Sequence, residues 1–178
     1  EASAATDDRY RILESIGSGG TSCVWRAQDL ESGATVALKS LHATCAANPV
    51  AVARFEREAA LASRIRHANV AVVHGIVEQA GTRYLSMEYV AGDTLGSILA
   101  ARNRLPPDVA LNMFRQACDG VQAAHDEGVI HRDLKPDNML VARRDGRVVL
   151  LDFGIAKTLA SDDLTKAGLV VGSIHYMS

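Results

Sequence analysis

Aromatic residues are scarce in this chain of 178 residues: Phe, Trp and Tyr make up only 4%, so any core must be aliphatic and rich in Ala. Cysteine is scarce as well. Cys23, Cys45 and Cys118 form no C-x-x-C pair and have no neighbouring His at zinc spacing. Neither a disulfide framework nor a metal-thiolate site is indicated, and reduced thiols in a cytoplasmic setting fit best. Long hydrophobic runs are missing too, since the most apolar stretches, residues 70–77 and 148–151, fall far short of the about 20 residues that cross a bilayer. The first residues carry neither a basic nor an apolar leader region, so no membrane or targeting segment is expected within the chain. No charge of one sign dominates: 19 Lys plus Arg against 21 Asp plus Glu give a net charge of -2, and nucleic acid is not an expected partner. What is present is ordinary for a globular protein, with 48% hydrophobic and 22% charged residues, which excludes wholesale disorder and coiled coil. A chain of this size buries roughly 70% of its unfolded surface, enough for one domain or two small lobes. There is no initiating Met, and the chain reads as an excerpt of something longer.

Residues 10–16, 23–30 and 34–41 read as strands around a Gly17-Ser18-Gly19-Gly20 turn and a Glu31-Ser32-Gly33 turn, so the chain opens as a β-meander. Val52, Phe55, Ala59, Ala62 and Ile65 recur at helical spacing and predict a helix over residues 48–66 that starts at Asn48-Pro49. Residues 70–78 and 83–90 read as two further strands. Helix dominates afterwards, over residues 94–102 and 106–127, the second with Val109, Met113, Ala117, Val121 and Ala124 on one face. A polar loop at residues 131–138 is followed by a strand pair, residues 139–142 and 147–151.

Taken alone, the Gly-rich turn fits a tight turn as well as a phosphate cradle. It lacks the Gly-Lys of a P-loop, and the strand-like residues 23–27 after it exclude a dinucleotide fingerprint. What remains is a hairpin whose backbone N–H groups can lie over phosphates. Lys39 at the end of Val36-Ala37-Leu38-Lys39 reads either as a snorkelling surface residue or as a functional cation, and Glu58 either as part of a solvated face with Arg54 and Arg57 or as a functional anion. The strongest element is His131-Arg132-Asp133-Leu134-Lys135-Pro136-Asp137-Asn138, followed by Asp152-Phe153-Gly154 fourteen residues after Asn138.

With these motifs in order, the chain resembles the eukaryotic-type (Hanks-type) protein kinase family, specifically its bacterial Ser/Thr kinases. The resemblance covers about residues 9–178 and rests on G-x-G-x-x-S-x-V from Gly17 to Val24, V-A-L-K at Lys39, R-E-A around Glu58, H-R-D-L-K-P-D-N and D-F-G-I-A-K. It implies an α+β, two-lobed fold. A five-stranded antiparallel nucleotide-binding lobe with one helix would span residues 9–91, and the first part of a mainly helical lobe, with catalytic loop and activation segment, residues 92–178. It implies ATP and Mg²⁺ as cofactors and Ser/Thr hydroxyls of proteins as acceptors, with self-association of the kinase for autophosphorylation.

By the family pattern, Asp133 accepts the hydroxyl proton and Lys135 neutralises the transferring phosphate. Asn138 and Asp152 hold Mg²⁺ through oxygen. Lys39 reaches the α- and β-phosphates and is oriented by Glu58, so the helix carrying Glu58 is a switch. Ile16, Gly17, Ser18, Gly19, Gly20 and Ser22 line the phosphate side. Adenine sits against Val24, Ala37 and Leu140, bonds the backbone at Glu88 and Val90, and has Met87 closing the back of its pocket. A buried Arg132 is expected to pair with a phosphate on the following segment, at Thr165 in preference to Thr158 or Ser161, and Ser173 stands where the family usually has Thr. Ser22 in place of the third glycine and Ala68 in place of the proline of an H-P-N turn leave the chemistry intact. The chain stops at Met177-Ser178, before the helical remainder of the family's large lobe. These residues alone are therefore expected to be a poor catalyst, and the parent protein is expected in the cytoplasm or anchored by a segment elsewhere. The alternative functions are an incomplete kinase serving as a nucleotide-binding signalling scaffold, or a small-molecule phosphotransferase, which Lys135 and residues 172–176 disfavour.

Overall fold

The computed structural model of the chain describes residues 8–18 and 22–153, without the side chains of Thr44 and Glu58. Its first part is an antiparallel sheet of β1 (Tyr10–Ser18), β2 (Ser22–Asp29), β3 (Thr35–Leu41), β4 (Val73–Gln79) and β5 (Thr82–Glu88), in the order β1-β2-β3-β5-β4. The central strand β3 is buried from Val36 to Ser40. Because strand side chains alternate, its two faces serve different cores. Val36 and Leu38 pack with Tyr10 and Ala27 on one side. Ala37 packs on the other with Leu85, Met87 and Val73 and with Phe55, Ala59 and Ala62 of α2 (Pro49–Ala62). Lys39, two residues after Ala37, therefore shares the face of Ala37.

The outer strands β1 and β4 are tied by a side chain. The Tyr10 N–H donates to Gln79 Oε1 and Gln79 Nε2 donates to the Tyr10 carbonyl, both at 2.8 Å. A carboxamide carries one acceptor and one donor group, so Gln79 stands in for a strand partner and satisfies part of an otherwise open edge.

The expected helix forms, but it ends at Ala62 rather than Arg66. Ser63 caps it with its N–H on the Ala59 carbonyl, and Ile65 turns into the core with its N–H on the Ala62 carbonyl. Ile65 is thus an apolar residue at helical spacing that is buried from a turn. A short helix α1 (Ala43–Ala46), not expected from the sequence, precedes α2.

The second part comprises α3 (Leu95–Arg102), α4 (Pro107–Asp126) and a small antiparallel sheet of β6 (Gly92–Thr94), β7 (Met139–Ala142) and β8 (Val148–Leu150). The sequence missed β6, whose three residues are too short to show a period. Thr94, read as the first helical residue, is instead the N-cap of α3 and accepts from the Ser97 N–H. Leu150, Val148, Val70, Ile65, Ala117 and Ala124 build the core under β8. The outward face of α4 leaves Leu111 and Phe114 exposed. Among the described residues, no helix is long and apolar enough to cross a membrane.

Residues 70–72, expected as the start of β4, belong to a different structure. Val70 forms a parallel bridge to Leu150, the Leu150 N–H donates to the Asn69 carbonyl at 2.9 Å, and the Ala71 N–H donates to the Leu150 carbonyl at 3.0 Å. The buried Asn69 side chain adds bonds to Val148 O (2.7 Å) and Gln116 Oε1 (3.1 Å). Gly120 of α4 makes this approach feasible, since a Cβ there would lie 2.7 Å from the Asn69 carbonyl oxygen. The two sheets are thereby joined by backbone as well as by the linker at residues 89–91.

Candidate active site

Lys39 projects from β3 with only 3% of its side chain exposed, and its Nζ meets Asp152 Oδ1 at 2.6 Å. A buried ammonium needs a partner to remain charged, and Asp152 supplies it from 113 residues away in the chain. Asp152 follows β8, is 37% exposed, and adopts φ +55°, a left-handed conformation that non-glycine residues seldom take. Arg132, with φ +61°, shares that conformation. Such strain persists only where surrounding contacts fix it.

His131 provides the contacts. It is buried, packs at a tilt of 49° and 4.6 Å between ring centroids against the buried Phe153, and places Nε2 2.8 Å from the Leu151 carbonyl. Its Nδ1 accepts from the Asp133 N–H at 3.4 Å. A carbonyl only accepts and an amide N–H only donates, so Nε2 carries the proton, Nδ1 is bare and the ring is neutral. Burial agrees, holding the imidazole pKa below its ordinary value against weaker opposing effects of the Leu151 carbonyl and of Asp133 and Asp152. One neutral ring thus connects the Leu151 backbone and the Phe153 side chain, on either side of Asp152, to the backbone of Asp133.

Around Asp133 the loop closes on itself. Asn138, at the end of the 3-10 turn Pro136–Asn138, donates from Nδ2 to the Asp133 carbonyl (2.7 Å) and to Asp133 Oδ2 (3.2 Å). Lys135 Nζ lies 3.6 Å from the same Oδ2. The Leu151 N–H donates to the Asn138 carbonyl at 2.9 Å, so the turn is anchored to the strand that leads into Asp152.

The linker side of the site is apolar. Ala37 and Met87 are register partners across β3 and β5, both buried. Val24 faces Lys39 across β2 and β3 and Gly17 across β1 and β2, with a Cβ on Gly17 coming 3.8 Å from that of Val24. Leu140 reaches the end of the linker, where its Cδ2 would lie 2.7 Å from a Cβ on Gly92. Glu88 ends β5, Val90 is half-buried in the linker, Ile16 is exposed, and Ser22 is buried at the start of β2.

Several expected residues lie outside the described ones: Gly19, Gly20, Thr158, Ser161, Thr165, Ser173 and the side chain of Glu58, so its pairing with Lys39 does too. Arg132 corrects an expectation, for it is exposed rather than buried, next to the buried His131. The sequence reading missed His131 and Phe153 as a packed pair, and Asn69 and Arg147 as links between the two sheets. The H-A-N turn was a signal for Asn69; no local signal marks Arg147.

A five-stranded sheet with one supporting helix, joined by a short linker to a helical part in which the carboxylate after β8 meets a buried lysine of the sheet, defines a protein of kinase-like fold. The protein kinase domain family matches residues 10–178. The chain is similar to the probable serine/threonine-protein kinase PknB of Lactococcus lactis, 38% identical over 172 residues covering 96% of this chain and 27% of that protein. It is likewise similar to the serine/threonine-protein kinases PrkC of Bacillus subtilis (38%, covering 96% and 26%) and PknL of Mycobacterium bovis (35%, covering 99% and 44%). The chain therefore spans less than half the length of these relatives. Among solved structures, the kinase domain of Mycobacterium tuberculosis PknI superposes with a TM-score of 0.73 at 30% identity, over 87% of this chain and 62% of that one. The apo form of PpkA-294 superposes with a TM-score of 0.79 at 24% identity over 96% of this chain and 67% of that one, a likeness of fold. The chain belongs to the protein kinase family, in its Hanks-type bacterial Ser/Thr branch.

Proposed function

We propose that the cleft between residues 9–91 and 92–178 transfers the γ-phosphate of ATP to Ser and Thr hydroxyls of protein substrates. The observation that carries this reading is the convergence of Lys39 from β3, Asp152 after β8, and Asp133, Lys135 and Asn138 from the single polar loop, with Lys39 bound to Asp152 and the loop tied to the strand before Asp152 through His131 and Leu151. Phosphoryl transfer asks a protein chiefly to position donor and acceptor and to neutralise charge. Lys39 faces the α- and β-phosphates, with Gly17, Ser18 and Ser22 at the base of the hairpin over them. The apolar wall of Val24, Ala37, Met87 and Leu140 takes the adenine.

Asp133 takes the proton of the attacking hydroxyl as its oxygen bonds the γ-phosphorus and the bond to the ADP oxygen breaks. Lys135, beside Asp133, offsets charge on the moving phosphoryl group. The donor set fits Mg²⁺, a cation that prefers oxygen. Asp152 offers a half-exposed carboxylate, and Asn138 spends its Nδ2 on Asp133, leaving the amide oxygen as its metal donor. When bound there, the ion supplies positive charge against the phosphate oxygens. Thr165 is the proposed phosphosite, modified by a second copy of the enzyme, with the exposed Arg132 as the guanidinium that pairs with it.

Titration calorimetry with ATP tests the nucleotide site. We expect ATP to bind in the presence of Mg²⁺ and more weakly in its absence or in Asp152→Asn. Affinity unchanged by both treatments would refute the assignment of the phosphate side.

A further inference from the structure

Arg147, the residue before β8, is used by neither the fold's core nor the proposed chemistry, yet its guanidinium grips two separate segments. One arm, Nη1, donates to the Ala68 carbonyl. The other, Nη2, donates to Glu88 Oε1 at 3.1 Å, and both side chains are 29% exposed. Glu88 is the last residue of β5 and the first step into the linker. Its second carboxylate oxygen accepts from the Val72 N–H at 3.3 Å, and its own N–H donates to the Val72 carbonyl at 2.7 Å. The segment 68–72 is thus held on one side by Glu88 and Arg147 and on the other by Leu150 of β8.

These bonds form a closed path. From Arg147 it runs along β8 to Leu150, two residues before Asp152, and back from Leu150 through residues 69–72 to Glu88. The planar fork of Arg is suited to such a double contact, whereas Lys offers a single point charge. We propose that Arg147 is a positioning residue for the nucleotide: by fixing Glu88 it sets the linker backbone, and so the seat of the base, at a constant distance from the Asp152 end of the site. The proposal rests on the reading of the cleft as an ATP site. It implies that Arg147 acts on the base through Glu88 and leaves the phosphate contacts alone.

The experiment measures binding of ATP, adenosine and tripolyphosphate, each with Mg²⁺, to the wild-type enzyme and to Arg147→Ala, Glu88→Gln and the double variant, together with KM and kcat for ATP. For a half-exposed charge pair we expect Arg147→Ala to weaken ATP and adenosine about three- to tenfold, with KM rising and kcat nearly constant. Tripolyphosphate affinity should stay unchanged. Glu88→Gln should reproduce the effect, and the double variant should be no worse than the single ones, because one connection is broken in each. Glu88→Gln preserves side-chain size and carries the test should Arg147→Ala fold poorly. Unchanged adenosine affinity in Glu88→Gln, equal losses for adenosine and tripolyphosphate, or tighter binding would each overturn the proposal. Failure of the wild type to bind ATP would instead refute the underlying reading of the cleft.

Discussion

His131 shows how much one residue can organise. Its two nitrogens face a carbonyl and an amide, which fixes both tautomer and charge, and its burial lowers the pKa. Protonation would set an N–H of Nδ1 against the Asp133 amide and break the link between Asp133 and the Asp152 strand. In the unfolded chain the ring titrates near 6.5, while in the fold it resists protonation to lower pH. Below about 6.5 the unfolded state therefore binds more protons, and stability falls as pH decreases until the folded-state value is passed. Urea unfolding midpoints between pH 7.5 and 5 should decline, and the decline should be shallower in His131→Asn. An identical slope in the variant would assign the acid sensitivity to other groups. The polarity of the loop hid this role, because a histidine among Asp, Lys and Asn reads as solvated. Lys39 was half legible: its place two residues after Ala37 puts it on the same strand face, yet a lysine at a strand end reads as readily as a snorkelling surface residue. Its partner Asp152 is 113 residues away; the order of motifs marked Asp152 as a metal ligand, and nothing in the sequence paired it with Lys39.

At the scale of elements, what the sequence announced were features with local causes. Asn48 accepts from the N–H groups of Val50 and Ala51, and Pro49 fills the first helical position where its missing N–H costs nothing. Replacing Asn48 by Ala should destabilise the protein by about 0.5–2 kcal/mol. Calorimetric or chemical unfolding measures this, and a change below experimental error would show that the cap is not limiting. Because α2 also carries Glu58 and packs through Phe55 and Ala59 beneath β3, loosening its first turn should reach the Lys39 face. What was not legible was non-local. The passage 70–72 has strand-like composition, but its partner is Leu150, not a neighbouring hairpin strand, and no pattern within ten residues could say so. The same holds for Gln79, which reads as part of the hairpin connection after residue 78 and instead ends β4 and closes the sheet edge on Tyr10.

At the scale of the whole molecule, two sheets of opposite emphasis meet along one line. The five-stranded sheet presents Lys39 with Val24, Ala37 and Met87, and the small sheet adds Leu140 of β7, Asn138 just ahead of β7 and Asp152 after β8. Bonds through Asn69, Gln116 and Leu150 hold them together, while the linker at residues 89–91 is their covalent connection. Composition and periodicity foretold an α+β molecule with a strand-rich beginning and a helical continuation. The relation between its two parts came only from the family resemblance, since contacts between segments eighty or more residues apart leave no trace in local periodicity.

The central claim is that Asp133 handles the acceptor hydroxyl rather than the nucleotide. The most direct test measures γ-phosphate transfer to Ser and Thr of a protein substrate alongside ATP affinity, in the enzyme and in Asp133→Asn. A positioned base contributes about 10²–10⁴-fold, so transfer should fall by that order while the dissociation constant for ATP with Mg²⁺ stays within experimental error of the wild type. Transfer that survives in Asp133→Asn, or a loss of ATP binding as large as the loss of rate, would contradict the account.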